Sequence, residues 1–160
     1  MHDQITEMLE AGIIRKSRSP YASPVVMVKK ANGKLRLCCD YRGLNSITKK
    51  DSYPLPRIDN LMTAFQGSKL FTTLDMASGY HQIPMAEVDI EKTAFVTTYG
   101  LWKWEVLLFG LCTAPETYQK MVDHLIAGLK WKICVGYSVD IVVYSEDFEK
   151  HMDRLYTFFN

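Results

Sequence analysis

The stretch GYSVDIVVYS, residues 136–145, places a single acid between two strand-like segments. Asp140 follows Tyr-Ser-Val and precedes a β-branched run. With the KICV segment before it, this pattern predicts a β-hairpin that has Asp140 at or near its turn. A second acid, Asp75, ends the strand-like segment KLFTTLD. Paired carboxylates at strand ends suit Mg²⁺ in phosphoryl-transfer sites, although an acid after a strand is also a common turn former or helix cap.

The segments around these two acids predict an α+β fold. Asn32-Gly33 and Tyr99-Gly100 each separate two β-rich runs, which indicates hairpins. Helical spacing is present before Gly12, between Pro56 and Gly67, after Thr113 and after Ser145, which could cap the last helix. The helix after Thr113 has an apolar stripe of Tyr118, Met121, Val122, Leu125, Ile126 and Leu129, and the last helix one of Phe148, Met152, Leu155 and Phe159. No regular βαβ alternation is visible, so we expect antiparallel sheets backed by helices.

The composition is that of a globular protein, with 160 residues, 48% of them hydrophobic and 23% charged. The apolar runs are far shorter than the roughly 18 residues of a membrane span, so no membrane association is expected. The N-terminal segment MHDQITEMLE is too polar for a signal peptide. The four cysteines show no metal-binding or disulfide spacing and are predicted to be reduced. These features predict an intracellular protein, cytoplasmic or nuclear.

The charges divide unevenly along the chain. Residues 1–50 contain ten Lys or Arg against four Asp or Glu, a net charge of +6. Residues 51–160 contain nine against fourteen, a net charge of −5, and the halves sum to +1. A basic half beside an acidic half suits a protein that holds a polyanion with one part and metal ions with the other, although surface charge also varies without function.

Six runs in order identify a resemblance. They are LEAGIIRKSRSPYASPVVMVKK, LRLCCDYRGLNSITKKDSYPLPRID, LDMASGYHQIPM, IEKTAFVT, FGLCTAPETYQKMV and YSVDIVVYSEDFEKH. From residue 5 to its end the chain resembles the reverse transcriptase of gypsy-type (Metaviridae) long-terminal-repeat retrotransposons. The resemblance implies a right-hand polymerase fold, with fingers at about residues 1–70 and mostly palm, with interleaved fingers elements, at 71–160. It also implies that the thumb, RNase H and integrase regions lie outside this partial domain.

The resemblance implies an RNA-directed DNA polymerase that adds deoxynucleotides to a primer on an RNA or DNA template, as part of a Pol polyprotein. Two Mg²⁺ ions serve as cofactors in that family, and Asp75 and Asp140 match its catalytic, metal-binding acids. The residues that match its nucleotide-binding positions are Lys30, Arg36, Tyr80, Phe109, Gly110 and Tyr137. Tyr80 corresponds to the aromatic that disfavours a ribose 2′-hydroxyl. Lys30 and Arg36 correspond to a triphosphate clamp, although charge beside a hairpin turn is often simply solvated.

The family's hairpin motif is Tyr-x-Asp-Asp, and here Val139 stands at the position of the first Asp. Valine supplies no oxygen ligand, so we predict a degenerate copy, a pseudoenzyme with impaired metal binding. Leu108 in place of the family's Pro and Thr113 in place of its Asn are smaller departures. The alternatives are an active polymerase in which Val139 is tolerated or is a sequence error, a non-catalytic nucleic-acid-binding remnant, and a translated relic without function.

Overall fold

A computed structural model of the protein describes residues 1–29, 31, 33 and 35–160. Its α-helices are α1 (His2–Glu10), α2 (Arg42–Ile47), α3 (Ile58–Ala64), α4 (Glu87–Ile90), α5 (Ala114–Leu125) and α6 (Phe148–Phe159). Its strands are β1 (Ile14–Lys16), β2 (Val25–Lys29), β3 (Leu35–Cys39), β4 (Leu70–Asp75), β5 (Phe95–Thr97), β6 (Gly100–Trp104), β7 (Cys134–Tyr137) and β8 (Asp140–Ser145). Within these described residues no helix is both long enough and apolar enough to cross a membrane.

The chain forms two compact units, each made of two separate segments. The first unit contains Met1–Lys50 and Tyr80–Ala114, and the second contains Asp51–Gly79 and Pro115–Asn160. The sequence-based assignment of fingers to residues 1–70 and of mostly palm to 71–160 stays a prediction.

The first unit is built around an aromatic core. Its three-stranded antiparallel sheet has the order β1-β6-β5, while β2 and β3 form a separate antiparallel hairpin. Tyr41 is buried, and its hydroxyl donates to the carbonyl of Thr93 at 2.7 Å. That bond ties the segment after β3 to the turn before β5. The buried core consists of Ile5, Ile14, Tyr41, Phe95, Trp102, Trp104 and Leu108.

The second unit carries a three-stranded antiparallel sheet of order β4-β8-β7, with α5 against β7 and α6 against β8. Gly136 in β7 allows α5 to approach, because a Cβ at that position would overlap Cγ1 of Val122. Tyr118, Val122 and Ile126 of the α5 segment are buried against this sheet. The antiparallel sheet and the three strand pairs predicted as hairpins, β2–β3, β5–β6 and β7–β8, are confirmed.

Helix α6 packs through a polar contact. His151 is buried, with Nε2 2.7 Å from Oγ1 of Thr72 and Nδ1 2.8 Å from Oγ of Ser145. The Ser145 hydroxyl donates to the carbonyl of Asp147 at 3.0 Å. Since that hydroxyl proton is committed, Nδ1 of His151 is the donor to Ser145, and in the neutral ring Nε2 accepts from Thr72.

Two details of the predicted helix packing are wrong. The α6 stripe does not form the buried face: Phe148 is 69% exposed, Met152 50% and Phe159 68%. The hydrogen bonds of His151 turn a different face of α6 towards the sheet. Ser145 is not the N-cap either, because Asp147 accepts from the backbone N–H of Lys150 at 2.9 Å. A third detail is also wrong: Leu125 of the α5 stripe is 59% exposed, although the next residue, Ile126, is 1% exposed.

Candidate active site

The second unit brings Asp75 and Asp140 together. They are direct partners in the β4–β8 register. In an antiparallel pair, directly opposed residues point to the same face and have Cβ atoms about 4.5–5.5 Å apart. Asp75 and Asp140 are both exposed to solvent. The two carboxylates therefore form a solvent-accessible pair at one end of the sheet.

The turn before Asp140 is a tight one of two residues. Tyr137 pairs with Asp140, so Ser138 and Val139 form the connection. Ser138 has a φ of 54°, a left-handed conformation that non-glycine residues seldom adopt. The carbonyl of Val139 accepts from the N–H of Met76 at 3.3 Å, which joins this turn to the end of β4. Val139 thus lies beside the carboxylate pair, and its side chain adds no oxygen ligand to it.

The side chain of Gln119, in α5, stabilises this turn through hydrogen bonds. It is fully buried, and its Oε1 accepts from the backbone N–H of Ser138 at 3.2 Å. Its Nε2 donates to the carbonyl of Gly136 at 3.2 Å and to Oδ1 of Asp123 at 2.9 Å. One side chain therefore binds both β7 and the turn that leads to Asp140. The left-handed backbone conformation of Ser138 costs free energy, and the hydrogen bond from Ser138 N–H to the Gln119 amide helps to stabilise it.

Asp123 is itself held by three donors. Lys130 Nζ lies 2.6 Å from its Oδ2, and the Tyr53 hydroxyl donates to the same oxygen at 2.8 Å. Burial raises the pKa of Asp123, but hydrogen bonds from Lys130, Gln119 and Tyr53 outweigh it and leave the pKa below its usual value. Asp123 therefore stays ionised and keeps Gln119 oriented as a donor on that side.

The segment after Asp75 is fixed by close packing on α5. A Cβ at Gly79 would overlap the ring and hydroxyl of Tyr118, so only glycine fits there. The Tyr118 hydroxyl also lies 3.0 Å from the sulfur of Met76. These contacts set the direction in which the chain leaves β4.

The first unit brings together four predicted nucleotide-binding residues. Tyr80 is 5% exposed, and its ring centroid lies 4.2 Å from that of Phe109, which is 55% exposed. The Arg36 guanidinium carbon lies 5.7 Å from the centre of the Phe109 ring. Gly110 follows with a φ of 100°, and its carbonyl accepts from Nδ2 of Asn45 at 2.7 Å. The result is an aromatic surface in which the exposed Phe109 ring covers the buried Tyr80 ring and lies beside the Arg36 cation.

The remaining predicted residues are less informative. Lys30 lies outside the described residues. Tyr137 is 43% exposed at the edge of the Asp140 turn.

Asn45 and Gln119 were missed by the sequence reasoning. Asn45 also accepts from the N–H of Cys112 at 2.9 Å and so holds the segment from Gly110 to Cys112 through two hydrogen bonds. A buried glutamine within an apolar stripe was the available signal for Gln119, whereas nothing distinguished Asn45 from an ordinary helix residue.

The donor set is small for a metal centre. Among the described residues, no group of three or more His, Cys, Asp or Glu side chains is arranged to hold a metal ion. Two opposed carboxylates provide the oxygen ligands that Mg²⁺ accepts together with several waters. Asp75 and Asp140 would therefore suit a hydrated divalent ion held through their carboxylate oxygens.

A family model described as "Reverse transcriptase (RNA-dependent DNA polymerase)" matches residues 28–160. The chain is 44% identical over 157 residues to the retrovirus-related Pol polyprotein from transposon opus of Drosophila melanogaster, covering 95% of the chain and 16% of that protein. It is 39% identical over 163 residues to the corresponding polyprotein from transposon gypsy of the same species, covering 98% of the chain and 16% of the relative. The chain thus spans about a sixth of these relatives.

Solved structures agree with this. The native prototype foamy virus protease-reverse transcriptase superposes with a TM-score of 0.81 at 25% identity, covering 96% of this chain and 21% of that one. The foamy viral protease-reverse transcriptase in complex with RNA/DNA hybrid gives 0.84 at 22% identity, covering 96% and 21%. The structural likeness confirms the α+β, polymerase-type fold, and the sequence relatives confirm the gypsy-type resemblance.

Proposed function

Because the chain belongs to the reverse transcriptase family, we propose that it is the polymerase region of a retrotransposon Pol polyprotein in which Val139 impairs nucleotidyl transfer. The observation that carries this proposal is the turn at Ser138–Val139, where only Asp75 and Asp140 offer carboxylates on the paired strand ends. Asp75 and Asp140 would hold the divalent metal. When bound, Mg²⁺ neutralises the charge that develops on the reacting phosphate oxygens.

The chain's own residues divide the remaining work. Asp75 and Asp140 are positioned by strand pairing, and Gln119 keeps the turn between Tyr137 and Asp140 in its left-handed conformation. Valine at position 139 contributes methyl groups where charge neutralisation requires an oxygen. The proposed consequence is a weaker site that holds one ion.

The aromatic surface of the first unit suits an incoming deoxynucleoside triphosphate. Arg36 can meet a phosphate with its planar fork. The exposed Phe109 ring offers surface for the sugar or base, the buried Tyr80 ring packs against it, and Asn45 holds the carbonyl of Gly110. Lys30, the second predicted clamp residue, lies outside the described residues. The template and primer are the nucleic-acid partners in this proposal, supported by the foamy viral relative that is in complex with RNA/DNA hybrid.

The test is primer extension by a chimera in which residues 5–160 replace the matching region of a full-length active relative. If a missing carboxylate withholds about 4 kcal/mol of transition-state stabilisation, the unmodified chimera should be roughly a thousandfold slower than its Val139→Asp variant. Val139→Asn is the matched control, since it has the shape of aspartate without the charge, and it should restore far less. Extension by the unmodified chimera within about tenfold of Val139→Asp would contradict the impairment.

A nucleic-acid-binding remnant without catalysis is the second candidate, favoured by the +6 charge of residues 1–50. It predicts binding to primer–template whose affinity falls as salt rises. The Val139→Asp chimera would then bind primer–template but extend it no faster than the unmodified chimera. A translated relic instead predicts a chain that neither folds cooperatively nor binds.

A further inference from the structure

A cavity of about 450 Å³ lies in the first unit, beside the end of β1. We call it the β1 cavity, and it is lined by Arg15, Lys16, Ser17, Arg18, Glu91 and Lys103. It shares no residue with the aromatic surface formed by Tyr80 and Phe109. Four of these six residues are cationic, so charged groups surround a lining that consists largely of their aliphatic stems.

Strand pairing places two of the cations directly against each other. Arg15 and Lys103 are opposite partners in the β1–β6 register. Like charges in that position destabilise a sheet. Arg15 is neutralised by Glu87, 3.2 Å away, and by Glu105.

Lys103 has a weaker counter-charge. Its side chain is only 15% exposed, and its Nζ lies 3.9 Å from the nearest oxygen of Glu91. That separation is near the outer limit of an ion pair and is longer than a charge-assisted hydrogen bond. A largely buried ammonium group is therefore left with an incomplete partner at the cavity wall.

The rim of the cavity supplies further donors. Lys16 and Arg18 are exposed, and neither has an ion pair to a described carboxylate. Ser17 Oγ accepts from the N–H of Ser19 at 3.0 Å, which leaves its hydroxyl proton for a ligand. Ser19 Oγ in turn donates to the carbonyl of Glu91 at 2.7 Å and ties this rim to the unit. Ser17 and Arg18 thus stand on a loop that is tied to the unit, next to Lys16 at the end of β1.

We infer that the β1 cavity binds the phosphodiester backbone of a nucleic-acid strand. This phosphate site is additional to the one proposed at Arg36. The inference rests on the proposed function, which requires a nucleic-acid partner. Lys16, Arg18 and Lys103 exceed Glu91 by two charges. That surplus matches two adjacent phosphodiesters better than the higher charge of a nucleoside triphosphate. Phosphate contacts of this type position a strand without reading its sequence.

The test measures binding of a fluorescein-labelled single-stranded oligothymidylate to the full chain by anisotropy over a range of salt concentrations. Each phosphate contact in a single strand contributes about 0.7 to the slope of log affinity against log salt. The double variant Lys16→Gln/Lys103→Gln should therefore lose about 1.4 from the slope. The control variant Lys69→Gln/Lys132→Gln removes two exposed lysines from the second unit and should keep the parent slope.

Folding is checked by far-UV circular dichroism, and Arg18→Gln on the exposed rim gives an independent variant that should lose about 0.7 from the slope. If the parent binds with a salt-dependent slope but the cavity and control variants change it equally, the β1 site is wrong and the proposed function stands. If the parent shows no salt-dependent binding of the oligothymidylate, the nucleic-acid partner that the proposed function requires is refuted, and the β1 site is refuted with it. If inorganic phosphate binding is lost in the cavity variant while its oligothymidylate slope is unchanged, the cavity takes free phosphate and the strand assignment is overturned.

Discussion

Replacing Gln119 by leucine is expected to destabilise the hairpin that carries Asp140. The amide of Gln119 makes hydrogen bonds to Ser138 N, Gly136 O and Asp123 Oδ1, at 3.2, 3.2 and 2.9 Å. Leucine occupies a similar volume, so the main effect of Gln119→Leu is the loss of these three bonds rather than a cavity.

The loss of stability depends on whether each former partner of Gln119 finds another hydrogen bond in the variant. Gly136 is buried, so its carbonyl loses a bond without replacement, at a cost of about 1–3 kcal/mol. Asp123 keeps Lys130 and Tyr53, and Ser138 is partly exposed to water, so each of these losses costs about 1 kcal/mol or less. The total is about 3 kcal/mol, which in a chain of this size lowers the melting temperature by roughly 6–12 °C.

Thermal and urea denaturation followed by circular dichroism measures this loss. Gln66→Leu is the control, because Gln66 is an exposed glutamine of the same unit, and it should change stability by less than about 0.5 kcal/mol. A Gln119→Leu variant no less stable than the control would refute the role assigned to the amide.

Gln119→Glu gives a second, pH-dependent check of the same contacts. The introduced carboxyl would face the acceptors Asp123 Oδ1 and Gly136 O, so its pKa in the folded state is raised above the unfolded value of about 4.3. Because the pKa of this carboxyl is higher in the folded state, its contribution to the stability of the variant is fully present below the unfolded pKa. That contribution is lost as the pH rises through the folded pKa. The variant should therefore be closest to the parent near pH 4 and furthest from it at neutral pH. A constant difference across that range would contradict the geometry.

Three further predictions concern packing and titration in single residues. Gly136→Ala forces Val122 to move and should lower the free energy of unfolding by about 1–3 kcal/mol. Gly43→Ala, in open space within α2, should raise it by up to about 1 kcal/mol. Equal effects of the two variants in urea denaturation would contradict this. Asp147→Ala removes the N-cap of α6 and should lower the free energy of unfolding by about 1 kcal/mol, so an unchanged urea midpoint would argue against the cap. Burial raises the pKa of the Cys134 thiol to about 11 and removes it from solvent. Its alkylation by iodoacetamide in the folded chain should therefore be much slower at pH 8 than that of a free thiol, and labelling at the rate of a free thiol would disprove this.

Much of the fold was accessible from local pattern. Asn-Gly between β-rich runs predicted the β2–β3 hairpin, and the position of Asp140 before a β-branched run predicted β7 and β8. These features depend on neighbouring residues in the chain, which is the range over which turn chemistry and strand alternation act. The α6 stripe failed for the opposite reason. Its helical spacing was correct, but the face that packs was selected by the hydrogen bonds that His151 accepts from Thr72 and donates to Ser145.

The sequence by itself determined which chemistry the site can contain: the acids Asp75 and Asp140 at strand ends, and Val139 where the resemblance requires a third carboxylate. Only the tertiary structure decided how these residues meet. The β4–β8 register sets Asp75 against Asp140, and Gln119, distant in sequence from both, holds the turn between β7 and β8. The same is true of Lys103, which becomes part of a basic cavity only because β6 pairs with β1. Side-chain identity is a property of each position, whereas register and burial arise from contacts between segments that no local pattern specifies.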